Sequence, residues 1–180
     1  MKELYPLLSV LFLIFGCSQK PLNEYNVTEL ILDDITNTYS KKFSNETPNG
    51  IVYQLIGGSK YILGEVKDGK VSGLWTKWFE NGQKESEETF KDWKRDGLEI
   101  HWYENEQKKS EGTLKDGEYV GLITEWYENG QKSYEGTIFD VQSIHFSEWY
   151  ENGQKKSEGT FKDEKFVSKK EWNEDGSVKE

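Results

Sequence analysis

The sequence predicts an all-β chain: an elongated antiparallel meander of stacked β-hairpin repeats, period 23–25 residues, behind an N-terminal signal segment. Three observations carry this. WFENGQKESEETFKD at Trp78 returns as WYENEQKKSEGTLKD at Trp102, WYENGQKSYEGTIFD at Trp126 and WYENGQKKSEGTFKD at Trp149, with a degenerate WNEDGSVKE at Trp172. The anchor tryptophans stand 24, 24, 23 and 23 residues apart, and such self-similarity marks a stack of supersecondary units. Within each copy, turn residues separate segments of alternating polarity. The composition agrees: alanine, the best helix former, is absent, 14% of residues are aromatic, and all three prolines (Pro6, Pro21, Pro48) precede residue 49. The rest of the chain can therefore form ladders without losing a backbone donor.

In chain order, residues 1–16 read as a lipoprotein signal peptide. A lysine near the start is followed by an apolar run from Leu4 to Phe15, too short to span about 30 Å of hydrocarbon as a helix and suited to the h-region of a secretory signal. Ile14-Phe15-Gly16-Cys17 resembles a bacterial lipobox, which implies diacylglycerol attachment to the Cys17 thiol and cleavage before it. Cys17 is the single cysteine of the chain, so an internal disulfide is excluded and lipidation accounts for a lone exported thiol. Residues 17–37 read as a tether with a possible first strand, in which Leu30-Ile31-Leu32 is a short apolar run of uncertain pairing. Residues 38–180 are the repeat domain, opened by a weaker copy in which Tyr53 replaces tryptophan and Gly57-Gly58 replaces the turn.

Each unit carries two turns. Asn81-Gly82, Asn129-Gly130 and Asn152-Gly153 predict type I′ hairpins with positive φ at both central residues, and Asp175-Gly176 fits the same scheme. Asn105-Glu106 does not, so strain or another loop is expected there. The second turn is regular at Asp68-Gly69 and Asp116-Gly117 but lacks glycine at Asp92-Trp93, Asp140-Val141 and Asp163-Glu164. A bulge or shorter turn is expected near Val141. Alternation puts Leu122, Thr124 and Trp126 on one face with Leu74, Thr76 and Trp78. Trp75, Phe79, Ile123 and Tyr127 fall on the other, joined by Phe90, Leu114, Ile138 and Phe161.

The pattern YENGQKKSEGTFKDG with a following G-L and W resembles the bacterial MORN-type repeat variant of proteins labelled as the YwqK-like toxin–antitoxin system antitoxin family. The likeness covers about residues 38–180. It implies a β-hairpin meander in which Trp78, Trp102, Trp126, Trp149 and Trp172 are structural anchors, often behind a lipoprotein signal. The family label also implies toxin neutralisation.

Chemistry is sparse. The net charge of −10 argues against nucleic acid and against charge-driven attachment to an anionic membrane. His101 and His145 occupy different repeat offsets, and Glu80, Glu104, Glu128 and Glu151 recur as turn residues. No catalytic residue, metal site or cofactor is expected. The candidate interaction surface is the row Phe79, Tyr103, Tyr127 and Tyr150, set against the reading that these rings simply cover the sheet. The expected role is a non-enzymatic, lipid-anchored envelope protein (outer membrane if Gram-negative) whose repeats bind a protein. Alternatives are an antitoxin or immunity lipoprotein against a basic toxin, and a glycan or cell-wall binding module.

Overall fold

The computed structural model describes residues 22–33, 38–44, 46–140 and 143–179. Residues 1–16, expected to be a signal peptide, and Cys17 lie outside them. Apart from one three-residue 3-10 turn (Val27–Glu29), every regular element is a strand. They are β1 (Asn23–Asn26), β2 (Leu30–Asp33), β3 (Thr38–Lys41), β4 (Gly50–Ile56), β5 (Ser59–Lys67), β6 (Lys70–Trp78) and β7 (Lys84–Lys91). There follow β8 (Lys94–Trp102), β9 (Lys108–Lys115), β10 (Glu118–Trp126), β11 (Lys132–Asp140), β12 (Ser143–Trp149), β13 (Lys155–Lys162) and β14 (Lys165–Glu171). One twelve-stranded sheet runs β1-β4-β5 and then in unbroken sequence order to β14, while β2 and β3 form a separate pair. From β4 onward every neighbour is antiparallel and adjacent in sequence, as the repeat predicts.

Two features depart from the meander. Residues 23–33, read as tether, are folded. β1 pairs parallel with β4, from Asn23 opposite Gly50 to Asn26 opposite Tyr53, and β2 pairs with β3. The reason is hydrophobic: Tyr25 and Leu30 are buried with Val52, Leu63, Val66 and Trp75 in the core cluster, and Tyr39 stacks on Trp75 at 5.9 Å between ring centroids. This leading segment is also stitched to the first hairpin by its backbone, with Tyr39 N–H donating to Gly69 O at 2.6 Å and Gly69 N–H to Pro48 O at 2.9 Å. A one-layer sheet has no second sheet to bury its first apolar positions, so Tyr25, Val27, Leu30 and Tyr39 cover them.

The second departure is in the turns. In the Asn-Gly loops the glycines have φ of 80–83°, but the asparagines are not among the positive-φ residues. Gly130 N–H donates to Tyr127 O at 2.9 Å and Tyr127 N–H to Gln131 O at 2.8 Å. That is a three-residue loop, a type I turn closed by a left-handed residue, rather than the expected two-residue type I′. Asparagine is there for its side chain: Asn129 Oδ1 accepts the Gln131 N–H at 3.0 Å, and Asn81, Asn105 and Asn152 do the same in their loops. The type I′ pattern belongs to the other turn, where both central residues have positive φ at Asp68-Gly69, Asp92-Trp93, Asp116-Gly117 and Asp163-Glu164. The register near Val141 falls partly outside the described residues; flanking it, Asp140 pairs with Ser143 after an irregularity at Phe139.

The loop at Asn105-Glu106 keeps the common geometry and places Glu106 at φ 65° where its neighbours have glycine. A left-handed conformation costs a residue with a Cβ about 1–2 kcal/mol. Glu106→Gly is therefore expected to raise stability by about 1 kcal/mol in urea melts, net of the added freedom of the unfolded chain. A loss of stability would contradict the strain.

Candidate binding surface

Each unit is tied to the next by side chains at fixed offsets. The Tyr103 hydroxyl donates to Trp126 O at 2.8 Å, Tyr127 to Trp149 O at 2.7 Å and Tyr150 to Trp172 O at 2.9 Å. Beside them, Asn105, Asn129 and Asn152 donate their Nδ2 to Glu128 O, Glu151 O and Glu174 O at 2.9–3.0 Å. Phe79 holds the same place without a hydroxyl. In the unit before it, Gln54 Nε2 reaches Trp78 O at 3.4 Å. The tyrosine row proposed from sequence as an interaction surface is thus half-buried, with the three hydroxyls bonded inside the array.

The anchor tryptophans are half-buried on one face, interleaved with lysines. Lys84 Nζ lies 5.9 Å from the Trp102 ring centroid, Lys108 5.6 Å from Trp126, Lys132 5.9 Å from Trp149 and Lys155 5.8 Å from Trp172. The same lysines pair with Glu87, Glu111, Glu135 and Glu158. The ion pairs lie within single strands and the lysine–ring contacts join neighbouring ones, each contributing on the order of 0.5–1 kcal/mol at exposed sites.

The opposite face carries Trp75, Phe90, Leu114, Ile123, Ile138 and Phe161, as alternation predicts; the ladder sets Trp75 opposite Glu88 and Ile123 opposite Gly136. It also holds a buried carboxylate, Glu99, whose side chain is 6% exposed. Glu99 accepts from Arg95 Nη1 at 3.3 Å and lies 2.7 Å from His101 Nε2. The neighbouring Tyr119 is raised above its usual pKa, by burial first and then by the Glu99 charge and hydrogen bond. Burial likewise leads the upward shifts of Tyr103 and Tyr134. A raised folded pKa means the folded chain keeps its proton longer, so this stability is complete below about pH 10 and is lost as pH rises through the folded values. Thermal midpoints are expected to hold up to about pH 9 and to fall from pH 10 upward; a flat profile to pH 11.5 would contradict the burial of these phenols. Arg95, His101 and Tyr119 all bond to Glu99. Among the described residues no group of three or more His, Cys, Asp or Glu is placed to hold a metal ion.

Sequence reasoning placed Leu74 and Leu122 on the tryptophan face without singling them out, and did not name Leu98, which holds the same offset. Leu74, Leu98 and Leu122 stand four residues before successive anchors and are 53%, 47% and 54% exposed. They sit opposite Thr89, Thr113 and Thr137 in the ladder. Two strand spacings separate successive leucines, about 9.6 Å. Between two of them lies an open groove of about 400 Å³ lined by Leu98, Thr113, Val120, Leu122 and Thr124. The row ends at β12, where exposed His145 takes the leucine's place. The signal was present as a shared offset; its exposure depended on the sheet being a single layer.

The MORN repeat variant family model matches four segments, residues 72–92, 95–116, 119–139 and 144–163. Each segment runs through the strand before an anchor tryptophan, the three-residue loop and most or all of the strand after it. No curated protein matches the chain. Residues 72–163 therefore carry four repeats that match the MORN repeat variant.

Proposed function

We propose that this is a non-enzymatic, lipid-anchored envelope protein whose repeat sheet binds another protein through the leucine row of its tryptophan face. The observation that carries the reading is the contrast within that face. Its lysines, glutamates and tryptophans contact one another, whereas Leu74, Leu98 and Leu122 are each about half exposed at a regular spacing. A repeated apolar stripe on a polar sheet has the character of a protein-contact surface. The lipobox-like Ile14-Phe15-Gly16-Cys17 supports the anchor. Five residues lie between Cys17 and β1, a reach of at most about 18 Å. The β1 end of the sheet would thus be held close to the bilayer.

Replacing Cys17 with alanine is expected to move the protein from the membrane to the soluble fraction; unchanged membrane fractionation would refute lipidation as the anchor. The binding role is tested by chemical crosslinking and affinity recovery from native membranes, comparing the full chain with Leu74→Ser/Leu98→Ser/Leu122→Ser. Exposed leucines tolerate serine with little loss of stability, so loss of a recovered protein from the triple variant supports the reading. If that protein is a small basic toxin, the role is specified as antitoxin. Recovery of wall glycan alone, or of the same proteins by both chains, overturns it.

A further inference from the structure

We propose that the outer edge of β14 is a strand-addition site for an extended, acidic segment of a partner protein. The inference rests on the reading of the chain as a protein-binding scaffold and assigns a second contact to the same partner.

The two ends of the sheet differ. At the β1 end the apolar residues are covered by Tyr25, Val27, Leu30 and Tyr39. At the β14 end, among the described residues, the outer side is met only by a short return: Trp172 bridges Val178, and Lys179 N–H donates to Glu171 O at 2.9 Å. From Lys165 to Lys170 no strand lies on that side. Trp172 N–H bonds inward to Lys156 O at 3.0 Å and Glu171 O bonds outward to Lys179. By strand alternation the N–H and C=O of Lys169 also point outward. Phe166 and Val167, on the same strand, are 56% and 67% exposed.

The occupant's chemistry follows from charge and from the repeat. Lys165, Lys169 and Lys170 make β14 locally basic in a chain of net charge −10. Lysines on an edge disfavour pairing with a second identical edge in the registers that set Lys169 or Lys170 against itself, yet they accept an acidic strand. The array also shows what pairs with a strand preceding an anchor tryptophan. In β6 and β7, Thr76 faces Glu87, Trp75 faces Glu88 and Gly73 faces Phe90. Counting back from the anchor, Lys170 and Lys169 occupy the places of Thr76 and Trp75, so a segment patterned like β7 would set glutamates against both lysines. Main-chain bonds supply the affinity and these side chains the selectivity. In strand order the site is the end farthest from the lipid.

The test uses the purified full chain in detergent and a fluorescent synthetic peptide with the sequence of residues 85–92, ESEETFKD. Saturable binding by anisotropy is expected, weakened at least about tenfold by Lys169→Pro, which removes an outward N–H while leaving the bonds to β13 in place. Should that variant lose its thermal transition, the same peptide N-methylated at alternate amides gives the equivalent reading on the unaltered protein and is expected not to bind. Absence of saturable binding, binding indifferent to Lys169→Pro, or equal binding by the N-methylated peptide overturns the proposal. A concentration-dependent dimer abolished by Lys169→Pro would also overturn it, in favour of a second copy at the edge. A membrane partner recovered equally by wild type and Lys169→Pro would leave the leucine-row reading intact while removing the edge as a contact.

Discussion

Trp75→Ala is expected to destabilise the protein by about 3–5 kcal/mol, the cost of emptying a large buried aromatic site. Trp75 is 6% exposed, stacks on Tyr39 and packs against the backbone at Gly64, whose Cβ position would lie 2.6 Å from the indole. It joins the leading segment to the first hairpins, so its removal should act at that end of the array. A repeat sheet is stabilised by nearest neighbours and need not unfold in one step. Amide exchange is therefore expected to quicken first in β1, β4 and β5 and last in β12 and β13. A loss below about 1 kcal/mol, or uniform loosening along the sheet, would contradict the role of this tryptophan as the keystone of the covered end.

Gly130→Val should cost about 2 kcal/mol or more. Gly130 has φ 82°, and a β-branched residue resists the left-handed region more than any other type. An added Cβ would also meet Gln107 Oε1 of the preceding unit, which would have to swing away. Asparagine at the same place is expected to cost less than half as much, because it tolerates positive φ. Glu106 shows that the loop forms even with a glutamate there. Equal stability of the valine and glycine proteins in urea melts would remove the loop assignment for all four copies.

Much of the fold was legible because the repeat states its own period and because turn residues punctuate it. Alternation alone put Leu122 and Trp126 on one face and Ile123 on the other, and the ladder agrees. The covered end was not legible. Tyr25, Leu30 and Tyr39 follow neither a strand nor a helix period, and the parallel pairing of β1 with β4 joins residues 27 apart. The turn types were exchanged for a specific physical reason. Asn-Gly predicts positive φ at both residues from backbone preference, yet here asparagine's amide accepts a loop N–H and reaches the next unit's carbonyl. The first bond is local to the loop, and the second is not visible until the loops are stacked. The bonds of the tyrosine row were hidden for a related reason, since each hydroxyl's acceptor is a carbonyl 22 or 23 residues onward.

The leucine row is the part of the proposed function most exposed to refutation, and adjacent residues offer the sharpest comparison. Leu122 and Ile123 are neighbours in β10 on opposite faces, with partners Thr137 and Gly136. A photo-crosslinking amino acid placed at one position or the other, in otherwise identical full-length chains in native membranes, moves the probe through the sheet without moving it along the molecule. Adducts to a discrete protein from position 122 and none from position 123 are expected. Adducts from 123 alone, or equal yields from both, would contradict binding through the tryptophan face.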